Sequence, residues 1–599
     1  MKLNAIDFVV IAGYFMMVIG VGIYFSKRAG KSMEDFFLSG RTLPWWVAGT
    51  SIAAMGFAAD TPFMVTELVR RNGISGNWFM WAFAMSNLCA TFLFVRFWRR
   101  AKILTELEII EERYEGKSAG FLRGFQSIFY GIAFSSLNIG FIMLAMQSFI
   151  SVMLGWNEYL ALGVMLVVTM IYALAAGLWG IVANEVVQFG IAFIGSIFMT
   201  VVAVNAIGGL GGIETRLAEV FGSETAGSLL SFVPVSAELE AAKPFVEQGG
   251  EFTWTLFFVY VFVIWWSSEK ADGNGMFIQR IMATKNEKHA FLAGVWFNVV
   301  YYGMLMWPWI LVALISMADF PNLTDHKLAY PMMIEKYLPA GLRGIMFAAF
   351  LAAFMSSVDG LINWGSSYMV NDFYRRFINK TASQRHYIWI GRLAMLIVLA
   401  AGIGVWSITD SIADAWKFMA ELFSGLGAVW LIRWFWWRVN AWTEITAYIL
   451  SVIGCVGINL MEMGGMQFAE WERYVYICLF SVTGWLIVTF LTKPVSDEKL
   501  KSFVKRVNPG GPGWRRITVM VDNTKLPGGT PLSYNILAFV LGVFSLFMFI
   551  FGLGSIFLTS TAKGLAMLAV SGVLGYIIYR LEITRGKAAK IAEENGLSA

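Results

Sequence analysis

Thr50-Ser51-Ile52-Ala53-Ala54-Met55-Gly56-Phe57-Ala58-Ala59-Asp60-Thr61-Pro62 lies in the middle of an apolar run, residues 43–70. The run is long enough to cross a hydrocarbon core of about 30 Å as a helix. Yet at its centre stand a glycine, a carboxylate and a proline. A second interruption, Glu269-Lys270-Ala271-Asp272-Gly273-Asn274-Gly275, sits inside the run 252–282. Broken helices at matching positions of two halves are the sequence pointer to an inverted-repeat transporter. Unwound backbone frees carbonyls for a cation and amides for a solute. Packing kinks are the alternative explanation for either break alone.

Outward from these two stretches, the whole chain has the composition of a lipid-embedded protein. Of its 599 residues 58% are hydrophobic and 14% charged, and the mean hydropathy is +0.65. A soluble domain carries about 25% charged residues. The apolar runs are about 20 residues or longer, so they span as helices that satisfy their own backbone hydrogen bonds. A β-barrel would instead show alternating segments of about 10 residues. The net charge of +5 comes from basic loops and points to membrane orientation, not nucleic acid. Cys89, Cys455 and Cys478 fall within apolar runs and read as small core residues. His289, His326 and His386 fall in predicted loops, so no transition-metal constellation can be built from them.

Hydropathy predicts about 15 spans: 5–25, 43–70, 76–99, 120–153, 157–177, 178–205, 252–282, 288–318, 341–372, 386–407, 411–436, 441–462, 471–492, 535–557 and 563–581. Alternate loops are basic: Lys27/Arg28/Arg41, Arg96/Arg99/Arg100/Lys102, Arg280/Lys285/Lys288, Arg375/Arg376/Lys380/Arg385, Arg433/Arg438, the segment from Lys499 to Arg516, and Arg585/Lys587/Lys590. The long loop of about 206–250 is acidic. By the positive-inside rule the N-terminus is extracytoplasmic and the C-terminus cytoplasmic, in the cytoplasmic membrane.

Several motifs in order carry a family resemblance. Asp35-Phe36-Phe37-Leu38-Ser39-Gly40-Arg41 leads into the first broken run. Arg99-Arg100, Thr105-Glu106-Leu107-Glu108 and Glu112-Arg113-Tyr114 follow the next span. Gln279-Arg280 with Ala283-Thr284-Lys285-Asn286 closes the second broken run. Ala352-Ala353-Phe354-Met355-Ser356-Ser357 continues to Asn371-Asp372-Phe373-Tyr374-Arg375-Arg376. From about residue 5 to 492 the chain resembles the sodium/solute symporter family, which includes sodium/proline and sodium/galactose symporters. The resemblance implies an all-α, LeuT-type fold of two inverted five-helix halves, about 43–205 and 252–440. Around this core it leaves an N-terminal helix and loop (1–42), accessory helices (441–492), a cytoplasmic loop (493–533) and two last helices (534–599). It implies sodium-coupled symport of a small organic solute (sugar, amino acid or organic acid) and no enzymatic activity. It also implies a Na+ site built from carbonyls of Ala54, Phe57 and Ala353 and hydroxyls of Ser356 and Ser357.

The residues support that site independently. Ala353, Ser356, Ser357 and Gly360 stand at i, i+3, i+4 and i+7, on one helix face. Sodium is a hard cation, and hydroxyls with carbonyls supply oxygen without net charge. Small residues lining a tight helix interface are the alternative.

Three positions depart from the family pattern. Glu185 stands where the resemblance places an aspartate, and Asp359 and Gly360 stand where relatives with a second sodium site carry serines. Carboxylates inside a bilayer face a cavity, a partner or an ion. Glu185 and Asp359 on neighbouring helices would repel unless a cation or shared proton lay between them, which makes them a candidate second cation or proton site. For the solute, the resemblance points beside the breaks, to Asp60, Thr61, Trp78, Trp81, Trp265, Trp266, Lys270 and Glu421. Lys270 is also placed to pair with Glu269 or Asp272. Met80 and Phe83 occupy positions that are polar in sugar symporters, which weighs against a galactose-like site. Competing classes are weaker. A membrane enzyme would need a nucleophile–base pair or metal motif, a sensor a larger cytoplasmic module than 493–533, and a channel a repeated filter. A proton-coupled symporter is the nearest variant.

Overall fold

The computed structural model describes residues 3–26, 32–154, 157–235, 253–267, 271–273, 275–408, 412–521 and 531–594. Among them every regular element is helical, apart from one isolated bridge between Leu43 and Thr284. Among the described residues eleven helices are long and apolar enough to cross a membrane, and a bent pair makes a twelfth. Three shorter apolar helices, Ala5–Val18, Tyr159–Ile171 and Trp254–Ser267, bring the total to that of the hydropathy reading.

The first accessory helix is α1 (Ala5–Ser26). The first broken run is α2 (Trp45–Gly56) and α3 (Thr61–Asn72), bent by 58°. Pro62 at the start of α3 has no N–H to continue the ladder from α2. The Thr61 hydroxyl occupies one carbonyl freed by the break, donating to Gly56 O at 3.0 Å. Next come α4 (Ile74–Ala101), α5 (Gly116–Met153) and α6 (Glu158–Ala206).

Helix α6 needs resolving, because 49 residues at about 1.5 Å each would far exceed a bilayer. Its contacts show two legs. Tyr159 packs its ring 5.4 Å from Trp406, at the end of the helix Gln384–Trp406, whereas Leu174 O accepts from Arg392 near that helix's start. The first leg is therefore antiparallel to Gln384–Trp406. Trp179 donates to Thr42 at 3.2 Å and Glu185 bonds Ser51, so the second leg runs parallel to α2. Gly391 abuts Phe37, which puts both starting points at one end of the molecule. The chain thus reverses between 174 and 179, and the expected spans 157–177 and 178–205 are its two legs.

The second broken run is α7 (Trp254–Ser267) and α8 (Met276–Met282). Between them Gly273 (φ +80°) and Gly275 (φ +72°) hold backbone that other residues rarely adopt. A Cβ on Gly273 would also lie 2.7 Å from the Ala90 Cβ. The core closes with α9 (Glu287–Asp319), α10 (Leu342–Ile378), α11 (Gln384–Trp406), α12 (Ile412–Phe423) and α13 (Gly427–Phe435). Small residues let these helices approach closely: a Cβ on Gly365 of α10 would meet Gly131 O of α5 at 2.5 Å.

Accessory helices α14 (Ala441–Met463) and α15 (Glu470–Leu491) follow. The polar connection then folds as α16 (Asp497–Val507) and a turn in which Trp514 is fully buried and donates to Trp434 O at 2.7 Å. The last pair is α17 (Leu532–Leu558) and α18 (Thr561–Glu594). Phe547 of α17 stacks on Trp78 at 5.1 Å, and Glu582 of α18 pairs with Arg96 at 2.6 Å.

Candidate cation site at the helix break

A helix end leaves its last carbonyls without intrahelical partners. The end of α2 presents Ala54 and Met55 toward α10, and α10 answers with two hydroxyls. Ser356 Oγ donates to Ala54 O at 3.4 Å and to Ala353 O at 3.1 Å. Ser357 Oγ donates to Met55 O at 3.4 Å. Ala54, Ala353, Ser356 and Ser357 are all buried. Oxygens of five residues from two helices therefore converge without charge, which is donor chemistry that fits Na+.

Phe57 occupies the break itself, with its N–H on Ala53 O at 3.0 Å and its ring edge-on to Trp309 at 5.0 Å. The residue missing from the sequence reading is Met55. Counting the orphan carbonyls of a helix ending at Gly56 would have found it.

Glu185, on α6, does not stand as an unpaired carboxylate. Arg280 Nη2 lies 2.7 Å from Glu185 Oε1, with both side chains fully buried. Ser51 donates to the other carboxylate oxygen, Arg280 Nε donates to Ser51 at 3.3 Å, and Arg280 Nη1 to Gln279 at 2.6 Å. Glu185 thus has a resident cation, Arg280, 95 residues away in sequence. Periodicity cannot reveal a pairing between helices. Asp359 is fully buried on α10, and a Cβ on neighbouring Gly360 would lie 3.5 Å from Arg280 Nη2. Tyr14 of α1 is near enough to feel the charge of Asp359. Its hydroxyl accepts from Gln188 at 2.9 Å and reaches Met355 Sδ at 3.6 Å. Tyr14, Gln188 and Arg280 all escaped the sequence reading as neighbours of this site.

The residues expected around a solute fall into two groups. Asp60 and Thr61 are buried at the break of the first run, with Tyr301 beside them. The tryptophans and Glu421 each have protein partners. Trp78 donates to Phe232 O at 2.7 Å and stacks on α17, and Trp81 packs against Trp307 and Phe551. Trp265 lies against Phe539, and Trp266 donates to Phe262 O on its own helix. Glu421 is ion-paired with Arg473 of α15 at 3.0 Å. Lys270 and Glu269 lie outside the described residues.

The sodium:solute symporter family model matches residues 36–450. The chain belongs to that family. It is 24% identical over 467 residues to the sodium/mannose cotransporter of Bos taurus, covering 73% of this chain and 76% of that one. To sodium/glucose cotransporter 1 of Oryctolagus cuniculus it is 24% identical over 549 residues, covering 83% and 80%. To sodium/glucose cotransporter 4 of Danio rerio it is 26% identical over 466 residues, covering 73% and 69%. The solved structure of a Na+-coupled sialic acid symporter, substrate-bound and outward-open, superposes with a TM-score of 0.63 at 18% identity, covering 82% of this chain and 99% of that one. The fold is thus the LeuT-type helical architecture that the family resemblance implied. This sodium:solute symporter is a multi-pass membrane transporter that couples Na+ to the movement of a small solute, and it is not an enzyme.

Proposed function

We propose that the coupling sodium ion is held between the end of α2 and the middle of α10. Its ligands are the carbonyls of Ala54, Phe57 and Ala353, the hydroxyls of Ser356 and Ser357, and additionally the Met55 carbonyl. The observation that carries this is the Ser356 hydroxyl, which bonds carbonyls on both helices at once. An ion at that junction ties the broken helix to its neighbour, so its arrival and departure bias the path between open and closed forms. Arg280 supplies the charge at Glu185 that a second sodium would otherwise bring, so transport couples to one sodium, with Asp359 the remaining carboxylate.

The solute binds beside Asp60 and Thr61, with Lys270 of the run 252–282 as its cationic contact. The named relatives carry mannose and glucose, and the structural neighbour carries sialic acid, a sugar that bears a carboxylate. Met80 and Phe83 speak against a neutral hexose, and Lys270 speaks for an anionic group. A small organic solute with hydroxyls and a carboxylate fits best. Residues 43–440 act as the transport core in two halves, 43–205 and 252–440. The basic loops face the cytoplasm, with the N-terminus outside and the C-terminus inside the cytoplasmic membrane. Uptake of labelled sugars, sugar acids, amino acids and organic acids into proteoliposomes, with and without an inward sodium gradient, tests the reading. Sodium-driven uptake confined to neutral hexoses would overturn the carboxylate preference.

A further inference from the structure

Where α5 begins and α10 ends, those two spans and α16 border an open cavity of about 690 Å³. Apolar spans start and stop at the bilayer surface, so the cavity lies at the depth of lipid headgroups. Its volume is that of a small-molecule site, not of a lone ion.

The cavity wall carries three cations, Lys117 of α5, Arg376 of α10 and Lys499 of α16, and two carboxylates, Glu111 and Glu115. Both carboxylates are engaged by protein donors. Glu111 accepts from Arg376 Nη2 at 2.9 Å and from buried Arg123 at 2.7 Å. Glu115 accepts the Ser496 N–H at 2.7 Å and the Ser496 hydroxyl. The cations are less committed. Among the described residues neither Lys117 nor Lys499 has an ion-pair partner. Arg376 directs Nε and Nη2 to Glu111, which leaves Nη1 as a donor. Nearby, Glu112 pairs with Arg506 and Asp497 with Arg516, while Glu498 and Lys501 add one charge of each sign outside the wall. The wall therefore keeps one positive charge, and its free donors are cationic. A phosphate diester with a single negative charge matches that balance. A zwitterionic headgroup would bring an ammonium for which no uncommitted carboxylate remains.

Below the cavity the surface is apolar and open. Phe121, Phe125 and Ile128, at i, i+4 and i+7 on α5, are 63%, 40% and 44% exposed, and Phe377 at the end of α10 is 46% exposed. Phe121 and Phe377 also line the cavity itself. Gly124 lets the two spans meet there, since a Cβ on it would lie 3.1 Å from the Phe377 ring. One apolar stripe thus leads from the cations into the hydrocarbon core. A soluble anion has no use for it, whereas an acyl chain does.

We propose that this cavity binds the headgroup of an anionic phospholipid, its phosphate on Lys117, Lys499 and Arg376 Nη1 and an acyl chain along Phe121, Phe125 and Ile128. The site is independent of the sodium ligands, the solute and the sidedness proposed above, because it belongs to whichever leaflet meets this end of the bundle.

Native mass spectrometry of the purified full chain tests it, with palmitoyl-oleoyl phosphatidylglycerol and the choline lipid of the same chains titrated separately. The first phosphatidylglycerol should bind at least about tenfold more tightly than the first phosphatidylcholine. Lys117→Gln combined with Lys499→Gln should remove that preference, at about fivefold per lysine, and leave phosphatidylcholine binding unchanged. Lys117→Arg with Lys499→Arg keeps both charges and should retain the preference. Lys288→Gln removes an exposed cation at the start of α9 and should change nothing. Glycerophosphoglycerol, the same headgroup without chains, should fail to displace the lipid at equal concentration. Equal binding of the two lipids by the parent overturns the proposal. So does a preference that survives the double glutamine variant, or one that Lys288→Gln weakens equally. Displacement by glycerophosphoglycerol at equal concentration would mark a site for soluble phosphate and overturn the lipid assignment.

Discussion

At the scale of residues, the most consequential pair is Glu185 and Arg280. Taking two charges out of water is costly, and removing one partner of a buried pair leaves the other uncompensated, at about 3–5 kcal/mol. Glu185→Gln alone should therefore lower the apparent melting temperature of the detergent-solubilised protein sharply and depress its yield. Glu185→Gln combined with Arg280→Gln should recover most of both, because no lone charge remains. If the single variant is as stable as the parent, the pair carries no net burden and Arg280 does not stand in for a cation. Sequence reading identified Glu185 as a carboxylate in lipid but not its partner, because the pairing joins two helices through space. The serine hydroxyls at 356 and 357 were legible because, at i+3 and i+4 from Ala353, they share its helix face. Met55 was hidden only because backbone atoms carry no residue-type signal.

Among elements, both helix breaks could be read from Gly, Pro and acidic residues inside apolar runs, since each of those residues opposes a continuous ladder for a stated reason. Gly273 shows how strictly. Its φ of +80° and the 2.7 Å approach of Ala90 leave no place for a Cβ. Gly273→Ala should cost at least about 1–2 kcal/mol from the left-handed backbone alone, more than Gly163→Ala, where a Cβ meets nothing within 4 Å. Equal melting temperatures for the two variants would mean that the break relaxes freely. The tryptophans were less legible. Trp78 and Trp81, expected beside a solute, pack against α17. Composition marks an aromatic as buried but does not say which neighbour covers it, and α17 is more than 450 residues away in the chain.

For the whole molecule, the alternation of basic and acidic loops predicts sidedness. Glu214→Cys in the acidic loop and Ser502→Cys in the basic segment, each in a cysteine-free background, should label from opposite faces of sealed vesicles. Labelling of both from one face would break the span count. That count survived one trap, the helical stretch Glu158–Ala206, whose two legs emerge only from contacts with Trp406, Arg392 and Thr42. The Ser356 hydroxyl joins the end of α2 to α10, so an ion held there, as proposed, would act on both helices together.

The most direct measurement is a titration of sodium binding to purified protein by 22Na+, comparing the parent with Ser357→Ala and Ser356→Ala. Losing one charge-assisted contact of about 1.5–3 kcal/mol should weaken binding about 10- to 100-fold while leaving the melting temperature without sodium nearly unchanged. Sodium affinity equal to that of the parent in both variants would place the ion elsewhere and contradict the account.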